Sequence, residues 1–488
     1  MQKAELCTAK HFKADPTRCL VAHEMVAMVD PFAATALLHH QIAASVLPAA
    51  HPNYEACQEG TVLASLCLDQ AIHAYPRENA SRYVLRSAPA EKDPLPTAPI
   101  TAVNASITQG GPVLVRAWVH NSTADPTLQW LAVDLKDLPP RGTPSKLSRH
   151  LDVDRVVVPA SNVLHPVTAS SHTGLPQLYH GAACHGASKI LLHNALSFLD
   201  TSYHHAIRPP YATLGRGSVQ RALMPHLADC VVGAVALTLP PVLSVPGGMR
   251  SLLARQLQQL VATCHANIDE VTLASRANRM PLMASFAATA CRTMAEPFGP
   301  PTDLPTKADP SPYWFLPVIG AIPFRSVRRR FLNLGFSPHR VEFGRLTILL
   351  KYREAMCRKE VIDVPLDDPV EYSHARSCKM ERYRTALTER VVYESVVSFL
   401  RAVFDRELQE PLALCLWMYG LRCLHSDLSW FTENGMLGPQ HGVAMERQFE
   451  VIAGHLTHRS THLVAALSIP VPLRKSPMAA KSNNNATI

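Results

Sequence analysis

The chain has 488 residues, of which 47% are hydrophobic and 18% charged, with 47 Lys and Arg against 39 Asp and Glu for a net charge of +8. That balance excludes a wholly disordered chain, and the length suffices to bury a core without disulfide or metal staples. Proline is frequent (40) and glycine sparse (21), so the chain is expected to break into many elements at fixed turns.

No apolar run of signal-peptide length follows Met1, and the 12 cysteines contain no C-x-x-C pair. Both features lead to the expectation of a soluble, cytoplasmic protein with reduced thiols. Asp30-Pro31 reads as an N-cap followed by an N1 proline, opening a helix through about Val46. Residues 60–75 read as a second helix, since Val62, Leu63, Leu66, Ala71 and Ile72 recur near helical spacing. Four prolines between residues 86 and 101 mark a linker or surface loop. Val113–His120, Leu128–Leu135 and Asp154–Pro159 are β-rich, which predicts a small antiparallel sheet.

Beyond residue 185 the helical pattern returns, over Ser188–Ser202, Gly217–Leu239 and Ser251–Asn267. Cys230 to Met249 is a 20-residue stretch without a charge, but Pro240-Pro241 lies at its middle. Adjacent prolines free backbone groups that lipid cannot satisfy, so it reads as a buried helix and a turn, with no membrane partner. Residues 297–323 hold eight prolines and read as a connector. A basic, strand-like segment over 324–362 follows, then helices near 376–409, 411–426 and 441–467 and a flexible tail from Pro470.

The fold class expected is therefore α+β, predominantly helical, with the sheet inserted near residues 100–165. The expected domains are a helical region (1–100), a β-rich insert (101–165), a second helical region (166–296), the connector (297–323), the basic segment with its C-terminal helices (324–469) and the tail (470–488).

Four groups of residues could carry chemistry. His455, His458 and His462 share one helix face and could hold a metal, although no H-E-x-x-H accompanies them. Cys184, just before the expected helix start and near His180 and His185, could be a nucleophile, with His172, His193 or His204 as base. The bland reading, a buried structural cysteine, is the commoner case. Gly215-Arg216-Gly217-Ser218 matches only part of a phosphate loop, and Arg208, Arg216 and Arg221 surround it.

The fourth group is the basic run. Residues 321–360 carry ten Lys and Arg against three Glu, with Phe324, Phe331, Phe336, Phe343 and Tyr352 interleaved. Arginines contact phosphate and aromatic faces stack on unpaired bases, so Arg325, Arg328, Arg329, Arg330, Arg340, Arg345, Lys351 and Arg353 are the candidate nucleic-acid contacts. The competing reading is a solvated face with its aromatics turned inward.

No cofactor fingerprint and no catalytic motif is complete, so neither a cofactor nor a metal is expected. The reading favoured by the sequence is a non-enzymatic structural or assembly protein contacting nucleic acid, RNA or DNA, of the kind found in the shell or interior of a virus-like particle. Its partners would be copies of itself or other shell proteins. The alternatives are a metal- or Cys-dependent hydrolase and a monomeric cytosolic RNA-binding regulator.

Overall fold

The computed structural model of the chain describes residues 15–67, 72–77, 81–87, 101–103, 111–121, 124–134, 140–141, 148–151, 155–166, 175–204, 217–239, 343–363 and 369–470. These residues are mostly helical, with a small mixed sheet, and fall into two compact units divided after Gly186. The expected helix over 251–267, the 297–323 connector and the tail beyond Pro470 lie outside the described residues.

The first unit opens with helices α1 (Pro16–Val29) and α2 (Pro31–Val46). Each starts at an Asp-Pro pair. Asp15 accepts the Arg18 N–H at 3.0 Å and Asp30 accepts the Ala33 N–H at 3.2 Å, so each cap satisfies an orphan donor of the first turn. The short α3 (Tyr54–Gln58) ends before Gly60, whose φ of 71° suits glycine.

The strands are β1 (Ser65–Cys67), β2 (Ile72–Arg77), β3 (Arg82–Ser87), β4 (Thr101–Val103), β5 (Pro112–Asn121), β6 (Ala124–Asp134), β7 (Pro140–Arg141), β8 (Ser148–Leu151), β9 (Val157–Pro159) and β10 (Val163–Pro166). The main sheet runs β10-β6-β5-β2-β3-β9 with β1 also on β5, and β4-β8-β7 form a second small sheet. Two expectations are corrected here. The sheet begins at Ser65, where a helix was expected, and it is mixed, because β1 and β2 run parallel to β5. The physical reason is visible in the burial: Ile72 and Ala74 are sealed in the core while His73 and Tyr75 are not, a period of two. Five apolar residues spread over 60–75 mimic a helical stripe only when the break between β1 and β2 is ignored.

One face of the main sheet forms the core of this unit. Ile72, Ala74, Leu85, Val113, Val115, Ala117, Val119, Leu131 and Val133 interlock there. Helix α4 (Leu175–His204) begins some 13 residues earlier than expected, and the division between the units falls within it. Gly181 and Gly186, which suggest a turn in the sequence, lie inside this helix. A side chain at Gly186 would collide with the backbone carbonyl of Glu24 on α1, so glycine is what lets α4 lie against α1 there. We predict that Gly186→Ala lowers stability by about 1–3 kcal/mol, the usual cost of overpacking against a backbone that cannot yield. Urea unfolding followed by circular dichroism measures it, and an unchanged midpoint would show that the helices separate freely.

The second unit is helical: α5 (Gly217–Thr238), α6 (Phe343–Ile362), α7 (Pro369–Ala402), α8 (Arg406–Ser426), α9 (Leu428–Glu433) and α10 (Pro439–Ala466). α5 packs on α7, α8 and α10, and α6 packs on α7 and α8. α6 corrects the strand-like reading of residues 343–362. Its buried Leu346, Leu349, Leu350 and Cys357 recur at helical spacing, whereas the basic residues between them gave no period-two pattern. No helix among the described residues is long and apolar enough to cross a membrane.

Candidate functional site

Of the eight basic residues proposed as phosphate contacts, Arg325, Arg328, Arg329, Arg330 and Arg340 lie outside the described residues. The other three stand on α6. Arg345 is half-buried. Lys351 meets Glu394 of α7 at 2.8 Å. Arg353 is only 3% exposed, and its guanidinium is held between Glu389 of α7 and Asp427 at the end of α8. Burial opposes its charge, but these two carboxylates outweigh burial and raise its proton affinity. Arg390 of α7 pairs in turn with Glu354 and Glu394. This stretch of basic sequence therefore locks α6 onto α7.

The other sequence candidates are placed as follows. His455, His458 and His462 are exposed along α10, and among the described residues no three His, Cys, Asp or Glu side chains come together as a metal site. Cys184 sits in mid-α4 rather than before a helix start, so no helix N-terminus acts on it. Its Sγ is 3.6 Å from His180 Nε2, but both side chains are wholly buried and closed to a substrate. His172 and Gly215-Arg216 lie outside the described residues, and Arg221 is paired with Glu450.

The arrangement best suited to a ligand lies on the other face of the main sheet, away from the core. Side chains alternate along a strand, so His73, Tyr75 and Arg77 of β2 share that face. The register sets Arg86 beside His73, Val84 beside Tyr75 and Arg82 beside Arg77. On the other side, Trp118 of β5 stands beside His73, with His120 and Arg116 two residues either way. Arg116 is paired across strands with Trp130 of β6.

These side chains form a graded surface. Arg116 and Trp130 are each 2% exposed, whereas Trp118 and Tyr75 are 37% and 39% exposed. Trp130 Nε1 has no hydrogen-bond partner among the described residues. The Tyr75 and His120 rings stack at 4.5 Å and 13°, His73 lies 6.1 Å from Tyr75 at 17°, and His73 Nδ1 is 2.9 Å from His120 Nε2. Burial and the neighbouring His120 both push the His73 imidazole below its ordinary value, so it is neutral at pH 7. Arg77, Arg82 and Arg86 are exposed along the same face. Flat rings rimmed by guanidinium groups suit a planar heteroaromatic ligand that carries phosphate. Tyr75, Trp118, His73 and His120 escaped the sequence reading because β2 and β5 must pair before they meet.

No family model matches the sequence, and no curated protein matches it. The fold does match solved structures. Acyl-CoA oxidase 1 from Yarrowia lipolytica is 11% identical, with a TM-score of 0.65 over 96% of this chain and 82% of that one. Acyl-CoA oxidase-1 of Caenorhabditis elegans, complexed with FAD and ATP, is 12% identical, with a TM-score of 0.60 over 100% of this chain and 86% of that one. Acyl-CoA oxidase-2 of the same organism, bound with FAD, ascaroside-CoA and ATP, is 11% identical, with a TM-score of 0.58 over the same shares. At these identities the likeness is one of fold. It extends along almost the whole chain, and it overturns the expectation of a non-enzymatic, capsid-like assembly protein of a virion; it lends no support to shell proteins or RNA as partners.

Proposed function

We propose that this chain is a flavin-dependent enzyme that oxidises the acyl group of a coenzyme A thioester. The observation that carries the reading is the end-to-end fold likeness to acyl-CoA oxidases, two of them bound with FAD and ATP. FAD and coenzyme A share an adenosine diphosphate, and the β2–β3–β5 face offers what that group needs. Tyr75 and Trp118 are partly exposed aromatic rings, and Arg77 and Arg86 present positive charge. Bound flavin would supply the redox chemistry. The chain's own part on this face is to stack the adenine ring and to neutralise the diphosphate.

The purified protein should quench the fluorescence of added FAD and consume oxygen when given an acyl-CoA. Tyr75→Ala and Trp118→Ala should each weaken nucleotide binding by about 5- to 100-fold, as the loss of one stacking partner does. A protein that binds neither FAD nor acyl-CoA would sink the reading. Self-association belongs to the same proposal. Phe404, 97% exposed, and Leu408 leave an apolar corner where α7 meets α8, which a second copy would cover. Sizing chromatography checks it.

A further inference from the structure

We propose that His458 and His462 of α10 together bind a divalent transition-metal ion, Cu²⁺, Ni²⁺ or Zn²⁺, at the protein surface, a site independent of the nucleotide reading of the β2–β3–β5 face. The stretch reads His455-Leu456-Thr457-His458-Arg459-Ser460-Thr461-His462 and lies within one helix, Pro439–Ala466. Ile452, Leu456, Ser460 and Leu463 of that helix are buried, whereas all three histidines are exposed. No hydrogen bond or ion pair engages their rings among the described residues, so the ring nitrogens are available to an ion.

Helix geometry selects the pair. Four residues turn an α-helix through about 400°, so His458 and His462 stand about 40° apart, one turn above the other, with β-carbons about 5–6 Å apart. From there two imidazoles can swing onto one ion at the usual metal–nitrogen distance of about 2.0–2.1 Å. Three residues turn it through about 300°, which leaves His455 about 60° away from His458 and makes it the poorer partner. The adjacent cation, Arg459, is engaged by Glu410 of α8 at 2.8 Å, so a carboxylate offsets its charge. Among the described residues no group of three His, Cys, Asp or Glu side chains encloses an ion. The two imidazoles therefore leave the remaining positions to water or to a donor from another molecule, which makes the site open and readily exchanged. With imidazole ligands its affinity should follow the usual order, Cu²⁺ above Ni²⁺ and Zn²⁺.

The untagged full-length chain should be retained on immobilised Ni²⁺ and released by imidazole. Calorimetry with Ni²⁺ at about pH 7.5, where protons compete little for the ligands, gives the affinity. His458→Ala and His462→Ala should each weaken it by more than about tenfold, since even the loss of a supporting outer group costs a metal site 10- to 100-fold. His455→Ala should leave it within about twofold of the parent. Because the three side chains are exposed, the metal-free variants should melt as the parent does, and added Ni²⁺ should raise the melting temperature of the parent and of His455→Ala only. With one equivalent of Cu²⁺, electron paramagnetic resonance should show coupling to two imidazole nitrogens in the parent and not in His458→Ala. A parent that binds neither Ni²⁺ nor Cu²⁺ would overturn the site. Binding that survives both His458→Ala and His462→Ala would place the ion on other residues, such as the cysteines, and overturn it equally. Loss of binding in His455→Ala would refute the choice of His458 and His462 as the pair.

Discussion

Replacing Arg353 by Met should cost the helical unit about 3–5 kcal/mol, the range found when one partner of a buried ion pair is removed. The size of the effect comes from what is left behind. Glu389 is almost wholly buried and Asp427 largely so, and both would keep their desolvation cost with no guanidinium between them. Urea unfolding followed by circular dichroism should show the midpoint fall. Adding Glu389→Leu to Arg353→Met should recover part of the loss, since an apolar pair leaves fewer charges stranded. Arg353→Lys should fall between the two, because one ammonium cannot serve both carboxylates as the guanidinium fork does. A full-stability Arg353→Met protein would mean that water reaches this site and that the pairing is incidental.

Acid should weaken the first unit well before its carboxylates titrate. His23 and His39 are buried in α1 and α2, and burial pushes both imidazoles down to about 4. Between that value and the ordinary 6.5 of an unfolded chain, the unfolded state binds protons that the folded state refuses. The stability these two groups contribute is therefore complete above pH 6.5 and is lost as the pH falls toward 4. Each removes about 0.7 kcal/mol per pH unit at pH 6.5, rising toward about 1.4 as the unfolded imidazole becomes fully protonated, so the pair should cost about 3 kcal/mol between pH 6.5 and 5. His226 in α5, lowered to about 4 by burial and then by Arg422, gives the second unit the same tendency. The cleanest probe is His39→Leu, since neither of its ring nitrogens has a hydrogen-bond partner among the described residues. That variant should show a shallower fall of melting temperature with pH than the parent. His23 is less suitable because its Nε2 bonds Gln41 at 3.0 Å. Parallel pH profiles for parent and variant would show that His39 is solvated or that another group controls the acid limit.

Much of the local structure was legible because it is set by near neighbours. Asp30-Pro31 fixes a helix start through one cap and one ring, and Pro31–Val46 is helical as expected. Val113–His120 is rich in β-branched and aromatic residues and lies within β5. What failed depended on partners distant in sequence. Gly186 looks like a turn until Glu24, over 160 residues away, is seen against it. Arg353 looks like a free cation until Glu389 and Asp427 close on it. The candidate site was invisible for the same reason: His73 and His120 are 47 positions apart and meet only through the parallel pairing of β2 with β5.

That parallel pairing also shapes how the chain is made. β2 and β3 can close as a local hairpin soon after they leave the ribosome. Ile72, Ala74 and Leu85 then present a bare apolar face, because β5 begins only at Pro112, some 25 residues after β3 ends. At the usual pace of translation the gap lasts on the order of seconds, far longer than a hairpin takes to form. For that interval the nascent sheet exposes an unpaired edge as well as its future core, the two features that draw strands into aggregates. Arrival of β5 closes the edge, because its backbone pairs with β2, and Val113, Val115, Ala117 and Val119 then complete the apolar cluster with Ile72, Ala74 and Leu85. Slowing synthesis within residues 88–111 would therefore lengthen the exposure, and a holding chaperone would act on this part of the chain first.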